Sequence, residues 1–168
     1  MARLIVVSGL PGTGKTTLSR ELTRRLGATY LRVDAVEVPL LNSGVDVGPL
    51  GYEVVHTLAR ENLVLGRDVV VDVVNPLPVT RASWWQLARD TSADCTVLEC
   101  VLPDLAEHRR RIEQRSPDLA GWILPTWRDV EEREYLPWHE ERDGPRTVID
   151  TTDSRLALEA ALLVVASD

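Results

Sequence analysis

The chain has 168 residues, 44% of them hydrophobic and 27% charged, which supplies a full core for one ordinary domain and excludes disorder as the main state. Its net charge of −7 argues against a surface that coats nucleic acid, since phosphate contacts need a basic track. No apolar run approaches the roughly 18 residues of a membrane span, and Cys95 and Cys100 alone make no disulfide framework; with no leader-like segment, the expectation is a soluble, cytoplasmic, single-domain protein over 1–168.

Residues 3–8 form a β-branched run too short for a helix, which predicts a strand buried on both faces. A helical pattern follows over 16–26, with Leu18, Leu22 and Leu26 on one stripe and Gly27 placed as its C-terminal cap. Residues 30–34 read as a second strand. Pro39, Gly44, Gly48 and Pro49 make 35–50 a mobile connection with one helical turn at most. A helix over 52–65, a strand over 68–74 and a helix over 80–89 come next, and residues 94–102 read as another strand stopped by Pro103. Asp104 caps a helix carrying Glu107, Arg109, Arg110, Arg111 and Arg115. Residues 116–127 read as a flap, 129–136 as a helix, 147–150 as a fifth strand and 154–165 as a closing helix. Strands alternating with helices predict a three-layer α/β/α domain around a five-stranded, mostly parallel sheet. Residues 109–128 are expected to form a small lid.

The first strand and helix are joined by Gly9-Leu10-Pro11-Gly12-Thr13-Gly14-Lys15-Thr16-Thr17, which satisfies G-x-x-x-x-G-K-[ST] in full. Glycines let successive backbone N–H groups turn around a phosphate, and the helix N-terminus adds partial positive charge. Lys15, the single lysine among nineteen basic residues, then reaches the β- and γ-phosphates, and the Thr16 hydroxyl becomes a ligand of Mg²⁺. The metal also needs a carboxylate at the end of a neighbouring strand. Asp72, after Val69-Val70-Val71, meets that requirement at the edge where open α/β sheets bind ligands. Gly9, Pro11, Gly12, Thr13, Gly14, Lys15, Thr16 and Thr17 are therefore the expected nucleotide-binding residues, with Thr16 and Asp72 on the metal.

Guanine recognition of the Asn-Lys-x-Asp type is excluded, because Lys15 is already committed to phosphate. No residues remain for the separate helical lid domain of a large ring-forming ATPase. The Gly-Leu-Pro-Gly-Thr-Gly-Lys-Thr-Thr opening resembles small P-loop kinases of metabolites: the gluconate, shikimate and adenylyl-sulfate kinases, and the chloramphenicol-phosphotransferase and zeta-toxin-like enzymes. The resemblance implies a P-loop NTPase fold of the nucleoside-kinase kind, with ATP and Mg²⁺ as cofactors. It also implies a carboxylate at the end of the second strand that contacts the acceptor hydroxyl, at Asp34 in Leu31-Arg32-Val33-Asp34. Arginines that close over the phosphates would fall in 109–115, and the base would lie near Thr151 and Thr152 after the fifth strand.

Residue chemistry supports part of this on its own. Asp34, next to the phosphate loop, is placed to accept or orient a hydroxyl proton, with service as a helix cap as its other reading. Arg111 and Arg115 share a helix face and could meet developing phosphate charge; the same helix could equally be a solvated face stitched by Glu107–Arg111 and Arg109–Glu113 pairs. Asn75 and Arg81 follow the Asp72 strand and are candidates for the acceptor pocket. Trp122 and Trp127 flank Ile-Leu-Pro-Thr in the flap and either cover the acceptor or pack in the core. Capping by Asp153 or Ser154 competes with a base-binding role for Thr151 and Thr152. The histidines have no metal-ligand spacing with the cysteines. The expected activity is ATP- and Mg²⁺-dependent transfer of a phosphoryl group to a hydroxyl of a small molecule. A kinase of nucleotides or nucleic-acid 5′ ends, and a partner-dependent nucleotide switch, are the alternatives.

Overall fold

Five strands, β1 (Arg3–Ser8), β2 (Thr29–Arg32), β3 (Val69–Asp72), β4 (Asp94–Val101) and β5 (Thr147–Asp150), pair in the order β2-β3-β1-β4-β5, every pairing parallel. The computed structural model describes residues 1–167. The central strand β1 is buried along Leu4-Ile5-Val6-Val7, as its unbroken apolar run requires, because both of its faces are covered. Leu4 and Val6 face α3 (Leu50–Val64) and α4 (Pro78–Thr91), packing in one core with Val55, Ala59, Trp84 and Leu87. Ile5 and Val7 face α1 (Lys15–Leu26) and α8 (Ser154–Ser167), meeting Leu18, Leu22, Ala157 and Ala161. The result is the three-layer P-loop fold, with a sheet that is parallel throughout.

The strand order reverses at β1, which has β3 on one side and β4 on the other. That switch point opens a crevice at the carboxyl edge of the sheet. Register brings Val7 beside Asp72 and Asp72 beside Arg32, so three adjacent strands deliver their carboxyl ends to the same crevice.

Residues 35–50 depart from expectation. They are not a mobile connection: α2 (Val33–Asn42) is a ten-residue helix that contains Pro39. Pro39 removes one N–H, but the Ser43 N–H and hydroxyl both donate to its carbonyl, closing the helix end. As a consequence β2 stops at Arg32, and Asp34 lies in the first turn of α2 rather than at the end of a strand. A carboxylate is favoured there by the helix dipole. α5 (Leu105–Gln114) is capped as expected, with the Asp104 side chain accepting from the N–H groups of Ala106 and Glu107. Residues 115–126 are irregular. The helix expected over 129–136 is the five-residue α6 (Trp127–Glu131), and a further turn, α7 (Glu140–Asp143), precedes β5.

Candidate functional site

The phosphate loop is shaped by close packing as much as by its glycines. Gly9 has φ 142°, and a Cβ there would sit 2.5 Å from the Cys100 carbonyl oxygen; at Gly12, φ 81°, it would sit 2.5 Å from Ile112 Cδ1. Both positions thus demand glycine for space and for backbone conformation. Below the loop the Thr13 hydroxyl donates to Leu10 O at 2.8 Å, and the Thr151 hydroxyl donates to Thr13 O and, at 2.9 Å, to Val101 O. His108 Nε2 bonds Pro11 O at 2.7 Å, which fastens α5 to the loop. α1 begins on Gly14 with no side-chain cap and no acidic residue in its first turn, so its leading N–H groups stay free for an anion.

Three cavities run one into the next along this loop. The first, of about 350 Å³, is bordered by Thr17, Leu18, Ala157, Leu158, Thr151 and Arg111. Gly14, Thr17 and Arg111 also border the second, of about 270 Å³, which adds Gly12, Lys15, Thr16, Arg20, Arg32, Asp118 and Trp122. The third, of about 410 Å³, shares Lys15, Asp34, Arg115 and Trp122 with the second. It continues past Pro11 to Glu37, Tyr52 and Arg133. Lys15 is buried, and among the described residues it has no ion-pair partner.

The two lid arginines differ in kind. Arg111 is fully engaged: it donates to Glu107 Oε1 at 2.8 Å and to the carbonyls of Thr151 and Thr152 at 3.1 Å each. It is a strut between α5 and the end of β5. Arg115, one turn on, keeps Nε and one terminal nitrogen buried without a hydrogen-bond partner, its guanidinium carbon 5.7 Å from the Trp122 ring. Burial lowers the guanidinium pKa of Arg115, with nearby Arg32 adding repulsion, and Asp34 and Asp118 only partly offset this. A desolvated cation without a partner costs free energy until an anion arrives. The Glu107–Arg111 and Arg109–Glu113 pairs that would stitch the helix face are also present, at 2.8 and 2.7 Å.

Asp34 does not stand alone. Arg32, equally an acceptor-side or a strand-surface residue on the sequence alone, is buried, with its side chain 4% exposed. Its Nε lies 3.2 Å from Asp34 and 3.8 Å from Asp72, and a terminal nitrogen lies 2.7 Å from Asp118. The Trp122 ring covers it at 4.9 Å. One guanidinium thus collects three carboxylates from three segments of the chain, and Asp118 extends the network to Arg20 at 2.7 Å. Asp72 is buried beneath; its Oδ2 accepts from the Tyr30 hydroxyl at 2.8 Å, whereas Oδ1 is buried with no partner. That orphaned oxygen beside the loop suits Mg²⁺, a hard cation that takes one or two carboxylates and completes its shell with hydroxyl, phosphate and water oxygens. Thr16 at the head of α1 would supply the hydroxyl. Among the described residues no cluster of three or more His, Cys, Asp or Glu offers an alternative metal site.

Other sequence candidates fall elsewhere. Arg81 is buried away from all three cavities: it pairs with Asp143 at 2.8 Å, bonds the carbonyls of Asn75, Pro76 and Leu136, and lies 4.5 Å from the Trp138 ring. It pins residues 136–143 to α4 and does not face the acceptor. Trp127 also lies outside, its ring edge-on to His108 at 5.2 Å and bordering a separate surface cleft. Asn75 is fully buried at φ 58°; its N–H donates to the Tyr52 hydroxyl at 3.1 Å, and its side chain does not reach the cavity. Thr152 is exposed and bonds Asp150, so only Thr151 of the pair borders a cavity. Sequence reasoning left Arg32 undecided and missed Asp118, Glu37, Tyr52 and Arg133. The first two are linked only by the fold, 86 positions apart. Glu37, three residues after Asp34, could have been found had α2 been read as a helix.

The chain matches the AAA domain family over residues 4–120. An uncharacterized protein of Mycobacterium tuberculosis is 32% identical over 113 residues, a stretch covering 58% of this chain and 23% of that relative's length. Among solved structures, a sugar kinase from Janibacter sp. superposes with a TM-score of 0.70 at 16% identity, covering 99% of this chain and 95% of that one. A gluconokinase from Sinorhizobium meliloti gives 0.64 at 18%, covering 98% and 94%. The M. tuberculosis APS kinase bound to AMPPNP and APS gives 0.62 at 19%, covering 98% and 96%. At these identities the likeness establishes the fold, that of the P-loop kinases. No helix among the described residues is long and apolar enough to cross a membrane.

Proposed function

Because the chain belongs to the AAA domain family and folds as the P-loop kinases do, we propose that it transfers the γ-phosphoryl group of ATP, with Mg²⁺, to a hydroxyl of a small molecule. The observation that carries this is the meeting of the second and third cavities at Lys15, Asp34 and Arg115. A phosphate cradle opens directly onto a second chamber, and at the join stand two cations and a carboxylate.

In this reading adenine occupies the first cavity, against Leu18, Ala157 and Leu158, with Thr151 and Arg111 shaping its wall. The free N–H groups of the loop hold the β- and γ-phosphates, and Thr16 and Asp72 Oδ1 would hold Mg²⁺, which would supply neutralising charge to the phosphate oxygens. An acceptor hydroxyl in the third cavity attacks the γ-phosphorus as the bond to the bridging oxygen of ADP breaks. Asp34 takes the hydroxyl proton, kept in place by Arg32. Lys15 and Arg115 meet the charge on the transferred group; positioning and neutralisation carry most of the rate in such reactions. Residues 109–128 serve as the lid over the site. The GKT loop, the two-chamber arrangement and the kinase-like fold support this over a nucleotide switch, which has no use for the third cavity. The net charge of −7 counts against nucleic-acid ends, since long phosphate contacts need a basic track.

ADP release from Mg-ATP, measured across a panel of hydroxylated metabolites, nucleosides and antibiotics with Lys15→Ala as control, tests the reading. A compound that accelerates release in the wild type alone supports it. Slow release that is indifferent to every compound refutes it in favour of the switch.

A further inference from the structure

The third cavity carries a carboxylate that the transfer chemistry does not use. Asp34, Glu37 and Leu41 lie at i, i+3 and i+7 on one stripe of α2 and all border this chamber. Asp34 has its guanidinium partner in Arg32. Glu37 has none: among the described residues it makes no hydrogen bond and no ion pair.

Shape rather than polarity holds Glu37 in place. At Gly51, in the first turn of α3, a Cβ would fall 2.3 Å from Glu37 Cγ and 2.4 Å from Oε1. The side chain therefore lies against bare backbone, in a niche that any other residue at 51 would fill. The charged and titratable groups that share the chamber are Asp34 on the same helix, Tyr52 from α3, Lys15 and Arg115 from the phosphate side, and Asp129 and Arg133 from the segment before β5. Lys15 and Arg115 also border the phosphate chamber, where ATP claims them. Arg133 is exposed and stays outside ion-pair distance of Glu37. Half-burial, together with repulsion from Asp34, raises Glu37 to about 7, with Arg133 opposing. A carboxylate kept half-buried without a counter-ion costs stability unless a ligand supplies the missing charge.

Building on the acceptor role of this cavity, we propose that the phosphorylated molecule carries a protonated amine and that the Glu37 carboxylate receives it. The ammonium bonds Glu37 while a hydroxyl a few bonds away reaches Asp34 and the γ-phosphate. An acceptor with a carboxylate or phosphate at that position would instead face two carboxylates. Glu37 is a specificity residue in this scheme, not a participant in the transfer.

Matched acceptors that differ at one substituent test the proposal: an amino sugar or amino alcohol, its neutral hydroxyl counterpart and the corresponding acid, each assayed for Lys15-dependent ADP release. The amine should be preferred. Glu37→Gln, which keeps the shape against Gly51, should raise its KM about 10- to 100-fold, the worth of a hydrogen bond to a charged group, with little change in kcat. In the wild type that KM should rise as pH falls below 7, and the variant should lose this dependence. Equal or better use of the neutral or acidic counterpart, or an amine KM unchanged in Glu37→Gln, overturns the inference and leaves the kinase reading intact. Failure of every acceptor to accelerate release overturns both.

Discussion

Replacing Arg115 with Met should make the unliganded protein more stable and the enzyme worse. In the wild type two guanidinium nitrogens are buried without partners, a penalty of about 1–3 kcal/mol for a desolvated polar group. Part of the side chain still meets solvent, so the lower end of that range applies, about 1 kcal/mol. Met keeps the length and the contact with Trp122 and removes the charge. For a chain of this size about 1 kcal/mol corresponds to a Tm rise of roughly 2–4 °C. Once phosphate is bound the sign reverses, because the wild type gains charge-assisted hydrogen bonds worth about 1.5–3 kcal/mol, and the variant should lose roughly 10- to 100-fold in kcat/KM. Thermal unfolding with and without Mg-ATP, followed by steady-state kinetics, reads both effects. A variant that is less stable without ligand, or that transfers phosphate at the wild-type rate, would refute the assignment of Arg115 as a cation waiting for an anion.

Other consequences follow from the same contacts. Asp34→Asn should retain ATP affinity and lose about 100-fold or more in kcat, the usual contribution of a positioned base; nucleotide titration and turnover measured together check it. Asp143→Ala strands the buried Arg81 guanidinium and should cost about 3–5 kcal/mol in urea unfolding, while nucleotide affinity of the folded fraction stays unchanged. Glu37 binds its proton more tightly folded than unfolded, its pKa raised from the ordinary 4.5 to about 7. Between those values the folded state holds more protons, so stability should fall as pH rises from 4.5 to 7. The same series in Glu37→Gln should lack that slope.

The parts of the fold legible in the sequence are those whose signals are local. β1, the loop and α1 combine a buried strand pattern, glycines at positive φ and a helical stripe within 24 residues, and each signal implies the next. α2 was obscured because Pro39 and the glycines after it read as breakers, whereas Ser43 closes the helix around the proline. That misreading hid Glu37, which becomes a neighbour of Asp34 only on a helix. The sequence placed Arg111 and Arg115 on one face but could not separate them, since the difference lies in the carbonyls of Thr151 and Thr152, forty positions away. Arg81 shows the converse. It looked like a pocket residue because it follows the Asp72 strand, and its true partner, Asp143, is 62 positions on. Arg32 stays undecided in the sequence for the same reason: Asp118, its shortest ion-pair contact, comes from an irregular segment with no pattern to place it.

The most direct test of phosphoryl transfer is the fate of the γ-phosphate itself. Wild type and Lys15→Ala would each be incubated with Mg-ATP and the acceptor that most accelerates ADP release, and the products resolved by mass spectrometry and phosphorus NMR. The account predicts one phosphate ester on the acceptor for each ADP formed, in the wild type only. ADP accumulating with free orthophosphate, and an acceptor left unmodified, would contradict it.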